Sequence, residues 1–286
     1  MKTRKVLCAF AAMVLILCIS GCSVFSADYP VSVGGTVIDN APQKVVCLSA
    51  GIASAASALG YNDYIVGAPT EFIGEDSKNI SDVGNSVVPN EKAILDASPD
   101  VVITVKEPDD SLKLALKSNN IKLAVIEIPT EYKKLREYYS NIAKIFSGKT
   151  DGKKNAKVYT KEMNRSVAGM KEKNTQMQKQ VAVFVESNFV ITGDSLAGEA
   201  LREAGIKNVF DSNSNYKFDA GELDSKNPDI IFCGIGKEKE ITENPAFKDI
   251  SAVKNSAVYG IDLTALMFAG EGFVSVMQEI TNYIAA

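Results

Sequence analysis

Two short segments constrain this chain more than anything else in it: Ser98-Pro99-Asp100-Val101-Val102-Ile103 returns in the second half as Asn227-Pro228-Asp229-Ile230-Ile231-Phe232. Proline drives the residue before it out of the helical region, so each copy reads as the end of a helix and the launch of a strand. The strand that follows is apolar at consecutive positions, the pattern of a strand buried on both faces of a parallel sheet. Similar runs begin at Lys44, Tyr64 and Leu123 in the first half, and at Val181, Ile206 and Ala257 in the second. Helical patterns separate them. Residues 52–59 close at Gly60 and residues 195–204 at Gly205, as C-cap glycines do. Asn90 can cap a short helix, and residues 111–117 form another. Two copies of one α/β plan predict two lobes with a cleft between them, a preferred place for a ligand.

The middle of the chain is helical. Leu135, Tyr139, Ile142 and Phe146 recur at spacings of three and four, as do Ala156, Tyr159, Met163, Val167 and Met170. Both stretches read as amphipathic helices with charged outer faces. The tyrosine and methionine stripe is read as packing against a lobe and not as a cofactor surface.

At the amino end, Lys2, Arg4 and Lys5 precede an apolar run over residues 6–19. That run is short of the roughly 20 residues a membrane span needs, and the small-residue exit fits a secretory signal. Ile19-Ser20-Gly21-Cys22 also matches the bacterial lipobox, so residues 1–21 are expected to be removed and Cys22 to carry lipid, a multi-chain anchor. Residues 22–32 then form a linker, and the remainder lies outside the cytoplasm on the cell membrane. Without the signal, 28 basic side chains face 35 acidic ones, a net charge of −7 against −4 for the whole chain. A nucleic-acid partner needs the opposite balance. Cys47 and Cys233 lie in apolar strand runs and are expected to be small buried hydrophobes.

The chain contains no histidine. That removes Ser-His-Asp and Cys-His nucleophiles, the usual zinc shells and histidine-bound haem.

The order of Gln43-Lys44-Val45-Val46-Cys47-Leu48-Ser49, Ala58-Leu59-Gly60, Asp82-Val83-Gly84, both Pro-Asp strands, and Ala252-Val253-Lys254-Asn255 resembles the iron-siderophore and cobalamin class (class III) of ABC-transporter substrate-binding proteins. The resemblance implies an α/β fold of two Rossmann-like lobes, residues 33–150 and 179–286, joined by a long rigid bridging helix within residues 151–178, with the ligand cleft between the lobes. It implies capture without catalysis or cofactor, by a monomer that delivers its ligand to an ABC permease and its ATPase. It also implies one docking carboxylate per lobe. Glu91 and Glu222 are the candidates, although each sits one residue from the expected place and each could equally serve its own helix terminus.

Open α/β sheets bind ligands at the carboxyl ends of their strands. In the first lobe this selects Ser49, Ala50, Gly51, Thr70, Glu71, Phe72, Lys106 and Glu107. In the second it selects Glu186, Ser187, Asn188, Phe189, Met267, Phe268 and Glu271. Phe72, Phe189 and Phe268 are expected as apolar walls, and Glu71, Lys106 and Asn188 as orienting polar groups. Beyond the signal only Arg136, Arg165 and Arg202 remain, all in helical stretches, which disfavours a catecholate complex held by clustered guanidinium groups. The expected ligand is a ferric siderophore, hydroxamate-type in particular, or a corrinoid. The alternatives are haem through Tyr or Met, an oxyanion such as molybdate, or a bilobal chelatase-like enzyme.

Overall fold

Alternate residues of each central strand enter different cores. In β3 (Val45–Cys47) and β6 (Val101–Thr104), Val45, Cys47, Val101 and Ile103 join one buried cluster, while Val46 and Val102 join another with Leu112 and Leu116. The same division occurs in β8 (Gln180–Glu186) and β11 (Ile230–Gly234), where Val181, Val183, Ile230 and Phe232 face one way and Ala182, Phe184, Ile231 and Cys233 the other. A period of two along wholly apolar strands thus gives each sheet two covered faces.

A computed structural model describes residues 28–74, 77 and 79–286; the expected signal and Cys22 lie outside the described residues. The first lobe holds a parallel sheet ordered β5-β4-β3-β6-β7, with β4 at Ile65–Ala68, β5 at Ser81–Asp82 and β7 at Lys122–Val125. The second is ordered β10-β8-β11-β12 and also parallel, with β10 at Lys207–Asn208 and β12 at Val258–Ile261; β9 (Phe189–Val190) runs antiparallel to β8. A hairpin of β1 (Val31–Val33) and β2 (Thr36–Ile38) precedes both lobes, with Val31, Val33 and Ile38 buried. The strand expected over residues 206–210 is cut short because Asn208 Oδ1 accepts the N–H of Phe210 and turns the chain.

Helices α1 (Ala50–Ala58), α2 (Glu91–Asp96) and α3 (Asp110–Ser118) cover the first sheet. Asn90 caps α2 as expected, accepting Ala93 N–H at 3.1 Å. The Pro-Asp pairs have a second role beyond starting strands. Asp100 Oδ2 accepts the backbone N–H groups of Gln43 and Lys44 at 2.6 and 2.9 Å, and Asp229 Oδ2 accepts that of Gln180 at 2.7 Å. Each aspartate ties the amino end of its strand to the neighbouring one.

The lobes are joined by α4 (Leu135–Asn174), which is broken once, at Gly148 (φ 80°, ψ −172°). The chain doubles back there. Tyr139 lies against Tyr159 with ring centroids 4.8 Å apart, and Tyr132 Oη donates to Asn164 Oδ1 at 2.9 Å. Glycine is required, since φ lies in the left-handed region and a Cβ would stand 2.7 Å from Asp28 Cβ. Asp28 in turn caps the second arm, its carboxylate accepting the N–H groups of Thr150 (2.9 Å) and Asp151 (3.0 Å). That arm, residues 149–174, carries the chain on to the second lobe. It ends where buried Asn174 Nδ2 donates to Ala204 O (2.8 Å) and Thr281 Oγ1 (3.1 Å). The inner faces of both sheets, the hairpin and α10 (Phe273–Ala285) form one continuous cluster, so the lobes share a core. Cys47 and Cys233 are free thiols and buried, as expected, and burial pushes their pKa values up to about 12 and about 11. Among the described residues no helix is long and apolar enough to cross a membrane.

Candidate ligand cleft

The amino end of α1 is built from small residues, Ser49-Ala50-Gly51, because other chain segments press against it. A Cβ on Gly51 would stand 3.0 Å from Phe268 Cβ and 3.1 Å from Ile128 Cδ1. Phe268 closes α9 (Leu263–Phe268), an element of the second half of the chain. The following corner is fastened to α1: Glu271 N–H donates to Ser54 Oγ at 2.8 Å and to Ser54 O at 3.1 Å. Tyrosines beneath hold both sides. The Tyr139 hydroxyl donates to Ala269 O, which lies in the left-handed region (φ 48°), and Tyr138 Oη donates to Gly51 O at 3.4 Å. Burial raises the pKa values of both tyrosines well above their ordinary value, so they stay protonated and donating. Gly51, Phe268 and Glu271 are therefore brought together across the two halves.

The loop after β4 closes on the same edge. Thr70 Oγ1 donates to Asp82 at 3.0 Å and its N–H to Gly84 O at 2.9 Å, holding the segment that follows β5. Glu71 accepts the N–H of Ser86 at 3.2 Å, and Ser86 Oγ accepts Ala50 N–H at 3.4 Å. Phe72 and Glu271 line one cavity of about 610 Å³, together with Ser57, Asn62, Ile65 and Ile80. This volume lies in the range of small-molecule sites.

Other candidates stand apart. Lys106 is exposed beyond β6, and Glu107 lines a separate hollow beside Lys113 and Lys117. Ser187 and Asn188 form the turn between β8 and β9, leaving Glu186 and Asn188 exposed and Phe189 half-buried. Glu91 is exposed and accepts Ser111 Oγ at 3.2 Å. Glu222 is engaged locally, accepting Asp219 N–H (3.0 Å) and Asn213 Nδ2 (2.9 Å), which hold its pKa below the ordinary glutamate value. A further cavity, about 680 Å³ between the arms of α4 and helix α5 (Leu196–Glu203), contains none of the sequence candidates. The first cavity takes ten of its eleven lining residues from positions 57–80 of the first lobe and one, Glu271, from the second half of the chain.

Sequence reasoning passed over Ser86, Ser54, Ile128 and the supporting tyrosines. It also passed over Val87, Val88 and Ile235, which are 76%, 68% and 74% exposed. Ile235 follows β11 between Gly234 and Gly236, and that flanking glycine pair, directly after a Pro-Asp strand, is a signal that could have marked it.

A family model described as periplasmic binding protein matches residues 45–264. The chain is 26% identical over 241 residues to the Fe(3+)-citrate-binding protein YfmC of Bacillus subtilis, covering 80% of this chain and 76% of that protein. It is 24% identical over 271 residues to the petrobactin-binding protein YclQ of the same organism, covering 86% and 83%. Among solved structures, the periplasmic haem-binding protein HutB of Vibrio cholerae superposes with a TM-score of 0.74 at 20% identity, covering 85% of this chain and 99% of that one. The vitamin B12-binding protein BtuF of the same species gives 0.63 at 16% identity, with 85% and 97% covered. Two α/β lobes joined by a long helix agree with these likenesses. The chain belongs to the periplasmic binding protein family, as a class III substrate-binding protein of ABC transport.

Proposed function

We propose that this protein is a membrane-tethered extracytoplasmic receptor that captures a ferric siderophore or a corrinoid and hands it to an ABC permease. The observation that carries the reading is the joint wall made by Gly51, Phe268 and Glu271, beside the cavity lined by Phe72. The wall offers one half-buried ring, Phe268, beside the Glu271 carboxylate, and the cavity adds Phe72 with Asn62, Asp63 and Asn79, which suits a bulky complex held by shape and a few polar groups. The ferric citrate and petrobactin relatives favour an iron complex. In this reading lipid on Cys22 anchors the chain, residues 33–150 and 179–286 are the lobes, residues 151–178 the bridge, and Glu91 and Glu222 meet the permease. Glu91 is the freer of the two.

A thermal-shift screen against ferric hydroxamates, ferric citrate, petrobactin, cobalamins and haem tests the cargo. A ligand at 100 times its dissociation constant adds about 2.7 kcal/mol of stability. A shift with a ferric complex or a cobalamin supports the reading, a shift with haem alone replaces the cargo, and no shift with any of them overturns it.

A further inference from the structure

The bridge is basic on an acidic protein. Residues 149–174 carry eight basic and three acidic side chains, whereas the whole chain has a net charge of −4. The helical period places Gly152, Ala156, Thr160, Met163, Val167 and Met170 on one buried stripe against the lobes. Lys154, Lys161 and Arg165 fall on the opposite ridge, with Val158, which is 58% exposed. Lys153, Lys157 and Lys171 fill one flank between ridge and stripe, Asp151, Glu162 and Lys173 fall on the other, and Glu172 ends the outer ridge at its carboxyl end. Of these seven cations only Lys171 reaches a carboxylate among the described residues, Glu203 at 3.8 Å. The flank continues onto Arg136 and Lys133, which line one hollow with Lys153 and Glu137, Lys133 being paired with Glu131 at 2.6 Å.

The position of this stripe relates it to the anchor. Asp28 caps the amino end of the arm, and Cys22 lies six residues earlier, a reach of at most about 20 Å. The arm is about 39 Å long at 1.5 Å per residue. Its outer ridge points away from the lobes, and so away from the cleft they enclose.

We infer that this basic stripe is a docking surface for an anionic phospholipid membrane, on which the tethered receptor rests with its cleft toward solvent between deliveries. The inference rests on the reading of Cys22 as the lipid site. A lipid anchor beside a row of cations supplies two membrane signals, and cations within a Debye length of an anionic surface are drawn to it in a salt-dependent way.

The test uses the full chain purified from membranes and carrying Val158→Cys, labelled with a fluorophore; the other described thiols, Cys47 and Cys233, are buried. It is reconstituted into phosphatidylcholine vesicles with or without about one third phosphatidylglycerol, with a headgroup quencher. The expected result is quenching about fivefold stronger with phosphatidylglycerol, lost at high salt and lost in the Lys154→Gln/Lys161→Gln/Arg165→Gln variant, whose melting temperature and cleft binding are unchanged. Equal quenching in both vesicles, or a triple variant that behaves as the parent, overturns the inference. So does a stripe that binds soluble polyphosphate and leaves anionic vesicles alone. Intact mass reads lipidation of Cys22 separately: an unlipidated chain that still shows phosphatidylglycerol-dependent quenching keeps the stripe and discards the anchor.

Discussion

The backbone N–H of Glu271 donates to Ser54 Oγ at 2.8 Å, fastening the last quarter of the chain to its first helix. Gly270 fits between them only because it has no side chain: a Cβ there would stand 2.0 Å from Ser54 Oγ. Gly270→Ala therefore forces the corner off α1. The expected cost is roughly 1–3 kcal/mol of stability, with a loss of ligand affinity larger than the stability change explains. Chemical denaturation and a binding titration on the same variant check this. A fully stable variant with weakened binding would leave the steric account standing in the cleft alone, and an unchanged variant would contradict it.

Tyr139 supports the same corner from below through its bond to Ala269 O. Tyr139→Phe keeps the ring and removes the donor, leaving a buried carbonyl unpaired at a cost of about 1–3 kcal/mol. Tyr159→Phe, whose hydroxyl lies in a less buried place, is expected to cost less. Urea midpoints of the two variants, at equal m-values, decide between them.

Asp28 links the start of the described chain to the bridge. Its carboxylate is held below the ordinary value of 3.8, first by its hydrogen bond with Thr150 and then by the N–H of Asp151. A depressed pKa in the folded state means the stabilisation is complete above the ordinary aspartate range and is lost as pH falls through the lowered value. Acid unfolding of wild type and Asp28→Asn is expected to differ near neutrality and to converge at the acid end. Parallel curves at every pH would remove Asp28 from the account.

The buried thiols give a kinetic test. With pKa values pushed to about 12 for Cys47 and about 11 for Cys233, both are protonated at pH 8 and shielded from reagent. Native protein is expected to react with a disulfide reagent only as fast as it opens, and both thiols to react promptly in denaturant. Fast labelling of either in the native state would place it outside the core.

The lobes were legible in sequence because buried parallel strands are short continuous apolar runs and the two Pro-Asp segments repeat at matching places. The role of the two aspartate side chains was not legible, since their bonds to Gln43 and Gln180 depend on which strand lies next door. The reversal at Gly148 was hidden for a related reason: two amphipathic patterns meeting there do not say whether the arms continue or fold back. Phe268 and Glu271 were selected as loop residues at the carboxyl end of a strand, although Phe268 in fact closes α9, and Ser54, Ile128 and the tyrosines answer only to contacts between distant segments. Local patterns carry periodicity and caps. They do not carry the pairings that build a cleft.

The central claim is that cargo binds where the two halves meet at Gly51 and Phe268. The most direct measurement is an equilibrium titration with the ferric complex or cobalamin that stabilises the protein most, comparing wild type with Phe268→Ala. The account predicts one saturable site per chain and a loss of at least about tenfold, some 1.4 kcal/mol, in the variant. Absence of saturable binding, or equal affinity in a folded Phe268→Ala protein, would contradict it.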